Sequence, residues 1–304
     1  MSERKLDFTK GKVEVLTLDE LKQTHVVNYP NGKPIGDIYH YDMIQFIMTE
    51  LEEKNIPYQV NEIFAVDNIM KGRNGVMIAK EQEEQYGIGS LESHILNRVF
   101  ANIGLFDDQR YNLAVSYTQQ GIMVGFGPFV YACHNQTICR ADHLVCNYGV
   151  RGMRKLEPKD RDLQIFMSNV HQKLDLVLPA YEEDLRMVEE MKDFAMETPQ
   201  ILQFIGALDT KRVLSDSTDK DIKQTGIYPI QDKDIHRLIE VLERDRLLGG
   251  CTAYALMQAA NFYCKPGYAP FHTLLPQSLM IFNGLKSYMQ KGEFDFYLDR
   301  KSVV

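Results

Sequence analysis

No apolar run in this 304-residue chain approaches the roughly 20 residues needed to span a bilayer. A membrane role is therefore not expected. The opening residues, MSERKLDFTKGK, lack the apolar core of a signal peptide, and nothing marks export. Cysteine is scarce: five residues, an odd number, fit a reducing cytoplasm better than a disulfide framework. No GxxxxGKS or GxxxxGKT loop, HExxH helix, GxSxG elbow or EF-hand loop occurs. That removes the standard phosphate-cradling, zinc-hydrolase, serine-hydrolase and calcium-loop chemistries. The glycines of GFGPF, Gly125 and Gly127, lack the rest of a dinucleotide fingerprint and a following helix start. There is no internal repeat and no low-complexity tract. The expectation is a cytoplasmic protein with no cofactor, no metal and no catalytic residue announced by a motif.

What is present is ordinary globular composition, 44% hydrophobic and 25% charged, in a chain long enough for a sizeable core. The formal net charge of -8 argues against indiscriminate coating of nucleic acid. That charge is uneven. Residues 1–109 carry eleven Lys and Arg against eighteen Asp and Glu. From Arg110 to Arg161 the balance reverses, with seven basic residues against three acidic.

Thr17-Leu18-Asp19-Glu20 reads as a capping box, in which Thr and Glu satisfy each other's backbone donors. A helix is expected from Asp42 with Ile44, Ile47, Met48 and Leu51 on one face, stopped by Asn55 and Pro57. Residues 58–66 have strand composition. Asn74-Gly75 suggests a tight turn into a strand through Val76 and Ile78. Ser90 is expected to cap a helix carrying Leu91, Ile95, Val99 and Ile103, closed by Gly104. Arg110–Tyr117 alternates, with Tyr111, Leu113, Val115 and Tyr117 on one face. A polar turn leads into IMVGFGPFVYAC, whose glycines imply a bulge or close backbone approach. QTICRADHLVC reads as a third strand of one antiparallel sheet.

From Pro158 the period becomes helical. Leu163, Phe166, Val170, Leu174, Val177, Tyr181, Leu185, Val188 and Met191 form a stripe to about Phe194. Pro179 is expected to kink or break it. Residues 208–232 look like an exposed loop or inter-domain connection. Three more helices are expected over 232–247, 251–264 and 276–291. The fold class is α+β: an antiparallel sheet in the N-terminal half packed by helices, then a mostly helical C-terminal half. A division into 1–155 and 156–304 suggests itself, and one continuous domain stays equally open.

Four constellations bear on chemistry. Cys133, His134, Cys139, His143 and Cys146 are close in sequence, but their spacing has no two-residue pair of the kind that structural zinc sites favour. Buried small cysteines are the expectation there. Glu62, Asp67, Asp107 and Asp108 could gather around a divalent ion, although such residues are commonly plain surface acids. Cys251 follows Gly249-Gly250 at an expected helix start, which would favour a thiolate. A base would be needed, and His272 is nearest in sequence. The fourth constellation is the basic island interleaved with aromatics. Cationic grooves with stacking rings hold single-stranded nucleic acid, so Arg110, Phe126, Arg140, Tyr148, Arg151, Arg154, Lys155 and Arg161 are the candidate binding residues.

The stretches LAVSYTQQGIMVGFGPFVYACHN and CTAYALMQAANFY together resemble the phage/plasmid-like proteins of unknown function carried by bacteriophages and mobile elements. Cys133, Asn135, Thr252, Tyr254 and Asn261 stand at the matching positions. The resemblance implies a mobile-element setting and brings no catalytic residues with it. An antiparallel sheet followed by a long helix is also similar to the core of phage single-strand annealing proteins, which bind DNA along a cationic groove and form rings or filaments. The acidic N-terminal third departs from that pattern. The expected function is non-enzymatic binding of single-stranded nucleic acid in recombination, compatible with a homo-oligomer. The alternatives are an anti-defence or host-modulating protein–protein interaction factor and a cysteine hydrolase using Cys251.

Overall fold

The computed structural model describes residues 13–23, 40–67, 96–118, 121–130, 135–140, 143–148, 160–216, 229–230, 232–264, 266 and 271–296. The fold is α+β. A seven-stranded antiparallel sheet is built from β1 (Glu14–Leu16), β2 (Tyr58–Asp67), β3 (Leu96–Leu105), β4 (Tyr111–Thr118), β5 (Gly121–Val130), β6 (Asn135–Gln136) and β7 (Leu144–Tyr148). Strands β1 to β5 follow one another across the sheet, and β6 and β7 both pair with β5.

The capping box opens α1 (Leu18–Gln23), with the Glu20 amide donating to Thr17 Oγ1 at 3.2 Å and the Thr17 amide to Glu20 Oε2 at 2.7 Å. Helix α2 (His40–Glu53) buries Met43, Ile44, Ile47 and Leu51. It ends at Asn55, whose φ of 54° is a left-handed value that Asn tolerates better than most residues. The helix expected to end at Gly104 is instead β3. Its register pairs Ile103 with Val60 on one side and Leu113 on the other. Val99, Ala101, Ile103 and Leu105 also satisfy a two-residue period, and pairing with two neighbouring strands decides in its favour. The Val76–Ile78 strand and the Ser90 cap lie outside the described residues.

QTICRADHLVC is not one strand. Gln136 ends β6, Leu144 opens β7, and the two short strands hold opposite ends of β5. The glycines of β5 do permit close approach: a Cβ on Gly127 would overlap the Thr137 carbonyl oxygen.

All eight residues of β4 are buried, so helices cover both faces of the sheet. On one face, Tyr111, Leu113, Val115 and Tyr117 join α2, α3 (Asp160–Leu174) and α4 (Val177–Asp193) in one core. The long amphipathic stripe breaks between Leu174 and Val177. Pro179 falls in the first turn of α4, where its missing amide donor is not needed.

Three more helices follow: α5 (Thr198–Asp216), α6 (Asp232–Arg244) and α7 (Ala253–Asn261). The first nine residues of the polar stretch expected over 208–232 are thus the end of α5. Last comes α8 (Phe271–Lys291), which begins five residues before the expected start and contains Pro276. Phe271, Leu274, Leu275 and Leu279 of α8 pack with Phe100, Ala114 and Met123 on the second sheet face. Ser116 Oγ donates to the Phe271 carbonyl at 2.8 Å. A third core joins α4 to α8, and Cys139 enters it from the sheet side. Each fully buried Leu, Ile or Phe contributes about 1.5–3 kcal/mol. The ribbon β8 (Ala195–Met196) with β9 (Cys251–Thr252) ties the start of α5 to that of α7. Among the described residues no helix is long and apolar enough to cross a membrane.

Candidate nucleic-acid interface and the Asp184 cluster

Two cations of the expected interface lie on described sheet segments, and both are engaged by carboxylates. Arg110 stands just before β4, where its Nε donates to Asp108 Oδ2 at 2.7 Å and its amide to Asp108 Oδ1 at 3.1 Å. The Tyr181 hydroxyl donates to the same Oδ2 at 2.5 Å. Partial burial works against the Asp108 charge, yet the bonds from Tyr181 and Arg110 hold its carboxyl below the usual range. Arg140 Nη2 reaches Glu183 Oε1 at 2.5 Å, and its Nε donates to Asp184 Oδ1 at 3.2 Å.

Phe126 is 1% exposed and stacks on the His143 ring, centroids 4.4 Å apart. It offers no free face to a base. Tyr111, Tyr117 and Phe129 are likewise core. The expected stacking role of Phe126 is therefore corrected, since its ring is inside, and the two described guanidiniums of the interface, Arg110 and Arg140, are paired with carboxylates. Tyr148 closes β7 opposite Gly121, and Arg161 lies in the first turn of α3. Their side chains, and all of Arg151, Arg154 and Lys155, lie outside the described residues.

The most organised polar group in the described structure is one the sequence reading did not single out. Asp184 is fully buried on the inner face of α4. Its Oδ2 accepts from the Tyr111 hydroxyl at 2.6 Å and lies 3.1 Å from His143 Nδ1, while Oδ1 takes Arg140. Burial first, then the Asp184 charge and hydrogen bond, push the Tyr111 phenol far above its ordinary value. Burial also pushes the Cys139 thiol well up, reinforced by Asp184 and opposed by Lys286 and Arg140. A buried carboxylate is tolerated only when paired and hydrogen-bonded, and here three side chains from two segments supply its partners. The result is a clamp of α4 onto β4 and the residues preceding β7. It is not an attacking group, because the nearby thiol is held protonated and the imidazole is 2% exposed. One signal was legible: Asp184 sits at an apolar-face position of the stripe, between Ala180 and Val188.

His143 faces Asp184 and Cys139 is buried. Cys133 and His134 fall outside the described residues, and of Cys146 only its place in β7 is described. No group of three or more His, Cys, Asp or Glu among the described residues is placed to hold a metal. Cys251 belongs to β9, pairing with Met196, and the residue after it, Thr252, caps α7 by accepting from the Ala255 amide at 3.2 Å. Burial raises the Cys251 thiol, the opposite of what a helix-activated nucleophile needs. Comparison with protein-family models, curated proteins and solved structures finds no match to this chain.

Proposed function

We propose that the protein binds single-stranded nucleic acid without catalysis, in the cytoplasmic setting of a mobile element, and that it does so through the connection from β7 to α3. The observation that carries this reading is the placement of charge. Residues 149–159 hold four basic side chains against one acidic, and they join two elements packed on the sheet. Arg110 and Arg140, by contrast, are already matched by acids. Arg151, Arg154, Lys155 and Arg161 position phosphates in this reading, and Tyr148 stacks on a base. Each phosphate neutralised contributes about -0.7 to the slope of log affinity against log salt for single strands, so four contacts give about -3. Reversal of these four charges removes most of that slope, whereas Arg110→Glu leaves it in place. Equal affinity before and after the fourfold reversal refutes the reading.

A second reading rests on the outer face of α4. Glu182, Glu183, Glu189, Glu190 and Asp193 line it, with Leu178 56% exposed among them. That face suits a basic protein partner in host modulation. A partner retained after nuclease treatment and lost on reversal of Glu182 and Glu189 supports this alternative.

A further inference from the structure

On the α8 side of the sheet, opposite the Asp184 clamp, β2 carries a bulge. Val60 pairs with Ile103 and Glu62 with Asn102, which leaves Asn61 as the extra residue. Bulges re-aim side chains and are enriched beside functional sites. Here the Asn61 amide is turned over β3: a Cβ on Gly104 would lie 2.8 Å from Asn61 Nδ2. Strand register puts Gln59, Glu62, Asn102, Gly104 and Asn112 on this same face, and the glycine floor continues to Gly127.

Two atoms of this patch stand out. Asn61 Nδ2, a donor, and Asn102 Oδ1, an acceptor, are both shut off from solvent with no hydrogen-bond partner among the described residues. Asn102 is 2% exposed. An orphaned buried amide atom is costly and calls for an explanation in a bound molecule or water. Exposure is also graded: Gln59 is exposed, Asn61 and Glu62 are half-buried, and Asn102 and Asn112 are buried. Strand β1 covers β2 only from Ile63 to Ala65, so among the described residues no strand pairs with Tyr58–Glu62 on the outer edge. Among the described residues the patch therefore opens at the sheet edge and deepens inward.

We propose that this bulge is a binding site for the edge of a neutral nucleobase. An unpartnered donor and an unpartnered acceptor on one sheet face suit a base edge, which presents an acceptor next to a donor, as in the pairing of Asn with adenine. Glu62 on the same face disfavours an anion. The missing side chain at Gly104 is what lets the Asn61 amide lie against β3. The site does not depend on the phosphate contacts proposed above, because a free nucleoside carries no phosphate.

The test is titration of the full chain with adenosine, cytidine, guanosine and uridine at millimolar concentration, read by ligand-observed NMR. At least one nucleoside binds saturably, and Asn61→Ala and Asn102→Leu each weaken it roughly tenfold, as expected for loss of a hydrogen bond that leaves its partner unsatisfied. Reversal of Arg151, Arg154, Lys155 and Arg161 leaves nucleoside affinity unchanged, so this proposal and the strand-binding reading fail separately. Asn61 is half-buried, and its variant keeps the test decisive if Asn102→Leu does not fold. Three results overturn the site: no nucleoside binds, both variants bind as wild type does, or a crystal structure shows only an ordered water bridging the two amides.

Discussion

Replacing Asp184 by alanine is the sharpest test of how the sheet is held. The substitution strands three groups together: the Tyr111 hydroxyl at 2.6 Å, the Arg140 guanidinium at 3.2 Å and the His143 ring at 3.1 Å. Arg140 keeps Glu183 and is 31% exposed, so water compensates it. Tyr111 is 0% exposed and has no such recourse. Breaking a buried charge network by removing one member costs about 3–5 kcal/mol, within which the unsatisfied phenol accounts for about 1–3 kcal/mol. Total stabilities run to about 5–15 kcal/mol, so the loss is a large share of the fold. Asp184→Asn falls between alanine and wild type, because the amide keeps one acceptor and turns a donor toward a donor. Equilibrium urea unfolding of the two variants, with Tyr111→Phe alone and combined with each, gives the coupling directly. A loss under about 1 kcal/mol for Asp184→Ala, or strict additivity with Tyr111→Phe, refutes the clamp, since residues in one network couple by about 0.5–3 kcal/mol.

Two further outcomes follow from the packing. The Cys139 and Tyr111 values are raised in the folded state, so their contribution is intact below the ordinary thiol value of 9.0 and is lost as pH climbs above it. Alkaline unfolding therefore steepens by about 1.4 kcal/mol per pH unit for each group, and Cys139→Ala removes one group's share of that slope above 9.0, while the Cys251 and Cys264 thiols, also raised by burial, keep theirs; identical alkaline curves contradict this. Gly127→Ala meets a backbone carbonyl that no rotamer change can move, and it costs about 3 kcal/mol or releases β6. Gly206→Ala, exposed within α5 with nothing within 4 Å, instead gains up to about 1 kcal/mol, and thermal melts of the pair decide.

Local signals were readable wherever a short stretch governs its own conformation. The Thr17–Glu20 box, the Asn55 stop and the β4–β5 pairing each depend on a few neighbouring residues, and each is found where expected. Val99 and Ile103 satisfied both a helical and a strand period, and only the presence of β2 and β4 on either side chose between them. The candidate site was harder for a related reason. Alternation in β4 makes Asn112, Ser116 and Thr118 look solvent-facing, yet all three are buried under the second helical layer. Once both faces are covered, Phe126 becomes core and the sheet arginines need internal partners. Which carboxylate meets which guanidinium depends on a separation of 44 residues between Arg140 and Asp184, and no local pattern encodes that.

The covering of both sheet faces limits where a ligand can enter. An open sheet face with exposed rings, as base-stacking platforms use, does not exist on β4 or β5, whose central residues are buried on both sides. Contact is left to edges and connections. At one side, β7 runs out toward the basic connection that precedes α3. At the other, β1 covers only three residues of a ten-residue β2, and among the described residues no strand covers the edge beside the Asn61 bulge. The Asp184 clamp bears on the first of these, because His143 lies immediately before β7 and Arg140 three residues earlier. Loss of the clamp would therefore weaken strand binding along with stability, while nucleoside binding at the far edge follows stability alone.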